Sequence, residues 1–153
     1  MLLIAGITLL FALLNGRRSA KEAPDIMKPF SKPVNDFEGM GMTVLEGSLG
    51  KNGLEVEILN ATPFDIESGN EADFKLQKLV DGCWYCLERL APLPDEQHGY
   101  GYVQGVPVTL RLDWSCVYAP LSPGEYRVVK RFYEYGGEGA KAYFFLAAEF
   151  EIE

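Results

Sequence analysis

Apolar and charged residues alternate along most of the chain after residue 41, which is the pattern of half-buried β-strands. In Leu54–Ile58, for example, the apolar residues alternate with Glu55 and Glu57. No amphipathic helix is indicated in this region, and turn residues separate the strands, so the pattern predicts an all-β sandwich. Seven antiparallel strands are predicted, over Met42–Glu46, Leu54–Ile58, Phe74–Val80, Cys83–Leu90, Val108–Tyr118, Tyr126–Tyr133 and Ala142–Glu153.

The dipeptide Asp81–Gly82 predicts a tight hairpin between two of these strands, because both central residues of a type I′ turn need positive φ. A two-residue turn fixes the register, so we expect Lys78 opposite Tyr85 and Leu79 opposite Trp84. The predicted core face of the hairpin carries Phe74, Leu76, Val80, Tyr85 and Leu87. The opposite face carries Lys75, Gln77, Leu79, Trp84 and Glu88.

Three other segments of the body carry specific expectations. Unbroken alternation over Val108–Tyr118 predicts a single strand. Pro92–Gly105 is predicted to be the long loop, and Glu134–Ala142 (EYGGEGAKA) a hairpin loop without a phosphate-binding pattern. One face of the predicted strand over Val108–Tyr118 carries Leu110, Leu112, Trp114, Cys116 and Tyr118.

The N-terminal end has a different composition. Met1–Leu14 has no charged side chain, and Asn15–Pro33 is basic and rich in proline. A signal-peptide core needs roughly 7–15 apolar residues, whereas a spanning helix needs about 20. The sequence therefore predicts an apolar helical membrane-targeting segment over 1–16, a basic, proline-containing linker over 17–40 and a sandwich domain over 41–153.

The flanks of this apolar segment leave its topology open. Arg17 and Arg18 follow it directly, and positive charge after a membrane segment favours a cytoplasmic flank. No cysteine follows the run as a site for lipid attachment. A cleaved signal peptide, an uncleaved anchor and a buried helix of the fold are the alternatives, and the predicted location of the sandwich is extracytoplasmic, at the cell surface.

Net charge narrows the choice of partner. Lys and Arg number 14 against 22 Asp and Glu, which gives −8 at pH 7. A nucleic-acid binder needs clustered cations to neutralise phosphates, so nucleic acid is not an expected partner.

The most informative motif is LSPGEYRVV over Leu121–Val129. A Leu, a Pro-Gly pair and a Tyr that opens a strand form the pattern of a tyrosine corner in immunoglobulin-like sandwiches. Leu121, Pro123 and Gly124 would make the turn between the sheets. Tyr126 would bury its ring and return its hydroxyl to a backbone group.

With the hairpin DGCWYCLE (Asp81–Glu88) and the terminal AEFEI (Ala148–Ile152), this corner resembles the bacterial immunoglobulin-like domain family. That family is common in secreted and lipid-anchored proteins of Gram-positive bacteria. The resemblance covers roughly Met42–Ile152 and implies an immunoglobulin-like fold and an extracytoplasmic location. It implies no known reaction, so no catalytic residue, cofactor or metal is predicted.

Cys83 and Cys86 form a C-x-x-C pair, which in redox proteins opens a helix. Here it begins a predicted strand, where residues three apart point to opposite faces and cannot join in a disulfide. A zinc site would have only Cys116 and His98 as further ligands. A thiol-redox or metal-binding protein that uses Cys83, Cys86 and Cys116 is the alternative function.

The remaining polar segments have simpler interpretations. Asp65–Asp73 faintly resembles a calcium loop but lacks its Asp-x-Asp-x-Asp-Gly spacing, so a solvated acidic loop is predicted. His98 has no acid or nucleophile at motif spacing and is predicted to be exposed.

Three aromatic residues are candidates for recognition: Trp84, Tyr100 and Tyr102. Exposed aromatics on a sheet face or loop often mark binding surfaces, although they can also cover the edge of a small core. The sequence thus predicts a non-enzymatic, membrane-associated immunoglobulin-like module that binds an unknown protein or cell-wall ligand. A spacer without a ligand has the same sequence signature.

Overall fold

The computed structural model describes residues 26–92, 99–135 and 141–153. These residues contain ten strands and no helix, and none of their segments is a helix able to cross a bilayer. The predicted helix over 1–16 lies outside the described residues. The strands are β1 (Ile26–Pro29), β2 (Met40–Val44), β3 (Gly53–Asn60), β4 (Asp65–Ser68), β5 (Lys75–Val80), β6 (Cys83–Leu87), β7 (Tyr100–Tyr102), β8 (Val108–Asp113), β9 (Gly124–Tyr135) and β10 (Lys141–Ile152).

Two antiparallel sheets form the sandwich. The smaller sheet has the order β2-β3-β8, and its inner face carries the predicted alternating residues Leu54, Val56 and Ile58, all fully buried. The larger sheet has seven strands, of which β9 is the central one. β5 and β4 pair with successive parts of one edge of β9, and β10 pairs with the whole of its other edge. β6 and then β1 continue the sheet from β5, and β7 continues it from β4. The all-β, two-sheet architecture predicted from alternation is confirmed.

All seven predicted strands are present, and three more join them. β1 lies in the predicted linker, β4 in the predicted acidic loop and β7 in the predicted long loop, so these three segments were wrongly predicted to lack strands. Each has only three or four residues, which is too short to show a period of two.

The hairpin between β5 and β6 has the predicted register. Asp81 and Gly82 both have positive φ, at 50° and 79°, and Leu79 pairs with Trp84. The predicted core face is right at Leu76, which is fully buried. The opposite face is also covered, since Gln77 is 0% exposed, which the alternation pattern did not predict.

The predicted strand over Val108–Tyr118 ends early, at Asp113. The Asp113 carboxylate accepts hydrogen bonds from the backbone N–H (2.8 Å) and hydroxyl (2.6 Å) of Ser115, and this local capping turns the chain. One helical turn follows, in which the Tyr118 N–H donates to the Trp114 carbonyl at 3.0 Å. Trp114 and Tyr118 reach the core, but Cys116 is exposed, so the prediction that it shares one strand face with them is wrong.

Aromatic stacks fill the space between the sheets. Phe150 stacks on Trp114 at 5.5 Å between ring centroids and on Tyr126 at 5.7 Å. Phe144 stacks on Phe132 at 5.6 Å and on Phe37 at 4.1 Å. β10 supplies the central ring of each stack, Phe150 in one and Phe144 in the other, so this strand contacts both ends of the core.

Residues before β2 protect the free edge of β10. Asn35, with φ of 59°, donates its backbone N–H to the Phe145 carbonyl at 2.9 Å. Its side-chain amide donates to the Ala147 carbonyl at 3.1 Å and accepts from the Ala147 N–H at 2.9 Å. One side chain thus replaces the strand that this edge lacks, which blocks edge-to-edge association there.

A buried lysine holds the chain where the larger sheet changes strands. β4 and β5 both pair with β9, and the segment between them leaves the sheet. Lys130 of β9 is 1% exposed, and its ammonium donates to the carbonyls of Asn70 (2.7 Å), Asp73 (2.8 Å) and Gly69 (3.3 Å). Burial lowers the pKa of Lys130 to about 8, and the carboxylates of Asp73 and Glu71 partly oppose this shift. The segment that resembles a calcium loop is therefore organised by an ammonium of the chain itself.

Replacing this ammonium tests its role. Lys130→Met removes one donor from each of three carbonyls, of which Gly69 keeps the Ser68 hydroxyl and Asn70 keeps the Asp73 N–H. The variant should lower the free energy of unfolding at pH 7 by about 1–3 kcal/mol. Between pH 8 and the ordinary value of 10.5, the unfolded chain holds the Lys130 proton more tightly than the native protein does. The stability of the native protein relative to Lys130→Met should therefore rise with pH across this range, by at most about 3 kcal/mol.

Urea unfolding of both proteins at pH 7 and pH 9.5 measures this difference. The comparison with the variant cancels the titration of the other groups. A stability difference that stays constant with pH would contradict the assignment.

Candidate binding surface

The outer face of the larger sheet, which points away from β2, β3 and β8, carries a row of aromatic and basic side chains. We call this row the ladder; its members are Phe30, Trp84, Arg127, Arg131, Tyr143 and Phe145. Its members on β9 and β10 alternate with the core residues of those strands, Trp84 lies on β6 and Phe30 follows β1. Aromatic rings in this row depart from the polar pattern of a solvent-facing sheet surface.

One half of the ladder is closed. The Arg127 guanidinium lies 4.4 Å from the Trp84 ring centroid and 5.8 Å from that of Phe30, so two rings are within cation–π distance of it. Its Nε donates to Oε1 of the buried Gln77 at 2.7 Å, and the Gln77 amide donates to Sγ of Cys86 at 3.4 Å. Burial lowers the pKa of Arg127, and the charge of Glu149 opposes this shift.

The other half of the ladder is open. Phe145 packs edge-on against Phe30 at 5.5 Å and Tyr143 at 6.0 Å. Tyr143 is 55% exposed, and its hydroxyl accepts a hydrogen bond from the Lys32 ammonium at 3.2 Å. Arg131 is exposed, with its guanidinium 5.1 Å from the Tyr133 ring centroid.

The three aromatic candidates take different places. Trp84 is half-buried beneath Arg127 and belongs to the ladder. Tyr100 is half-buried, and its hydroxyl donates to the Glu71 carboxylate at 2.9 Å, a bond that raises the pKa of Tyr100. Tyr102 lies in the core, where its hydroxyl is 2.7 Å from Oγ of Ser68 and burial raises its pKa to about 12. The structure therefore brings only Trp84 to the outer face.

The tyrosine corner lies at the start of β9. Tyr126 is 1% exposed, and its hydroxyl donates to the Ser122 carbonyl at 2.6 Å. The Lys78 ammonium lies 5.4 Å from the Tyr126 ring centroid and donates to Oγ of Ser122 at 2.9 Å. Gly124 has φ of 154°, a backbone conformation that residues with a side chain rarely adopt, so glycine is favoured at this position. Leu121 packs against the core, and Pro123 is exposed.

A two-sheet sandwich with this corner is the architecture of immunoglobulin-like domains. The family model described as a bacterial Ig-like domain matches residues 36–151. The chain belongs to the bacterial Ig-like domain family. No curated protein and no solved structure matches it. The match begins after β1 and Phe30. Phe30, which belongs to the closed half of the ladder, therefore precedes the matched part of this Ig-like domain.

The three cysteines of this Ig-like domain are free, with Cys83 and Cys116 exposed and Cys86 buried. Cys83 pairs with Val80 and Cys86 with Gln77 across the hairpin. Residues 26–92, 99–135 and 141–153 contain no group of three or more His, Cys, Asp or Glu side chains placed to hold a metal. His98 lies outside these ranges. Nothing in the described residues supports the thiol-redox or metal-binding alternative.

Removing one oxygen tests the corner. Tyr126→Phe leaves the ring in place and takes the donor from the Ser122 carbonyl, so the free energy of unfolding should fall by about 1–3 kcal/mol. The matched control is Tyr143→Phe at an exposed tyrosine, which should change it by less than about 0.5 kcal/mol. Chemical denaturation of the three proteins provides the comparison, and equal midpoints would defeat the corner assignment.

The thiols should differ in accessibility. In the native protein under non-reducing conditions, Cys83 and Cys116 should react with a thiol reagent at once, whereas Cys86 should react only after unfolding. The double variant Cys83→Ser/Cys116→Ser should have no fast-reacting thiol. If reductant had to be added before any thiol reacted, the cysteines would be paired and the redox alternative would return.

Proposed function

We propose that this chain is a non-enzymatic, membrane-associated Ig-like module that stands outside the cytoplasm and binds a protein or cell-wall ligand. One observation carries the proposal: an Ig-like sandwich follows an apolar run of 14 residues and a basic, proline-containing stretch. The length of that run suits a signal peptide or an anchor. A module outside the cytoplasm needs such a targeting segment.

The outer face of the larger sheet supports a binding role. Aromatic and arginine side chains are enriched at protein interfaces because they bury large areas and still form polar contacts. The open half of the ladder presents Tyr143 and Arg131 on a rigid sheet. The net charge of −8 keeps such a module soluble and steers it toward basic partners.

Localisation in a bacterial host tests the proposal. The full chain should sediment with membranes, and protease added to intact cells should degrade the sandwich. A variant without residues 1–16 should remain in the soluble cytosolic fraction and resist the protease. If the full chain is cytosolic, or if it is membrane-bound but protected in intact cells, the proposed location is overturned.

A further inference from the structure

We propose that a groove over β4, on the outer face of the larger sheet, binds an extended basic segment of a partner protein. The proposal deepens the binding role argued above and rests on it for its biological setting. All residues that line the groove lie in the part of the chain that the structure describes. The groove lies beyond the open half of the ladder, toward the end of β9.

A missing side chain creates the groove. Glu67 of β4 pairs with Gly101 of β7 on one side and Tyr133 of β9 on the other. A Cβ built on Gly101 would meet nothing within 4 Å, so the space beside Glu67 is open. The resulting depression has a volume of about 510 Å³, and Tyr135 and Val103 form two of its walls.

The charge of the groove selects a cation. Two exposed carboxylates, Asp65 and Glu67, line it, and no Lys or Arg does so among the residues whose side chains the structure describes. The net charge of −8 adds a long-range field of the same sign. Exposed carboxylates are hydrated in the free protein, so a basic ligand can pair with them at a small desolvation cost compared with buried ones.

The spacing of the carboxylates favours an extended polypeptide. Asp65 and Glu67 are two residues apart on one strand, so their side chains leave the same face about 7 Å apart. Lysines at positions i and i+2 of an extended segment have the same spacing. Phe64 and Tyr135 line the same groove, and the partly exposed ring of Phe64 can receive a cation on its face.

The rim of the groove suits a protein more than a metal ion. Val103 is 68% exposed and Phe64 46%, which gives an apolar border for the aliphatic residues between the lysines. Calcium takes six to eight oxygen ligands, whereas only two carboxylates among the described residues line this groove. The described residues hold no group of three or more potential metal ligands.

Two designed variants separate the features of the groove. Asp65→Asn/Glu67→Gln removes both charges and keeps the side-chain shapes. Gly101→Leu fills the groove in a direction where a Cβ meets nothing, so the fold should be retained. The matched control is Glu125→Gln/Glu151→Gln, which removes two exposed carboxylates at the far end of the same sheet.

Isothermal titration of the full chain, in nonionic detergent, uses the probe peptide acetyl-VKVKVG-amide. Both groove variants should bind it about tenfold more weakly than the unchanged protein, and the control within twofold of it. Binding should weaken with salt, since the contacts are exposed charges. Acetyl-VEVEVG-amide should not bind, and acetyl-VKVVKG-amide should bind less tightly. Thermal melts of every variant check that the fold is intact.

Each other result overturns the proposal. Equal loss in the control variant would show non-specific charge attraction. Heat from calcium chloride alone, lost in Asp65→Asn/Glu67→Gln, would assign the groove to a metal. Tighter peptide binding by Arg17→Gln/Arg18→Gln/Lys21→Gln would assign it to the basic stretch of the chain itself. Peptide binding does not depend on where the cell places the protein, so failure here and failure of the localisation experiment are distinguishable.

Discussion

The ammonium of Lys130 satisfies the backbone at the point where the larger sheet would otherwise break. β10 pairs with β9 along its whole length, and β5 and β4 pair end to end with β9 on its other side. Between β4 and β5 the chain leaves the sheet and its backbone hydrogen bonds, so the carbonyls of this segment need other donors. Three of them point at one buried cation. β4 itself is held by its pairing with β9, and the contact with Lys130 fixes the course of the chain directly after it.

Local signals predicted the elements that depend on neighbouring residues. The Asp81–Gly82 turn fixed a hairpin register because two residues set its backbone. The motif around Tyr126 indicated the corner because the hydroxyl and its acceptor, Ser122, are four residues apart. β1, β4 and β7 escaped prediction because each is short and is held by a distant strand. The buried contact of Lys130 was not predicted because its acceptors lie about 60 residues earlier in the chain.

The candidate binding surface was harder to predict for the same reason. Trp84 was a candidate from its place in the hairpin, but the cation over its ring comes from β9, and the second ring near that cation is Phe30. Alternation indicates which residues share a face of one strand, and it does not indicate which strands become neighbours. Gly101 illustrates the limit: a glycine in a three-residue strand reads as a loop residue until its partner, Glu67, is known.

The N-terminal segment divides the outer face into two parts with different physical roles. After β1 pairs with β6, the chain crosses the face, with Phe30 bonded to the Trp84 carbonyl and packed on Phe145, and reaches the β10 edge at Asn35. Lys32, on this crossing, donates from its ammonium to the Tyr143 hydroxyl at 3.2 Å, so the crossing also reaches the near edge of the open half. The groove is lined by residues of β4, β7 and the end of β9, and both short strands are held through antiparallel pairing that leads back to β9. A partner bound in the groove would therefore contact a part of the sheet whose position depends on β9, whereas the closed half is covered by Phe30 and the chain that follows it.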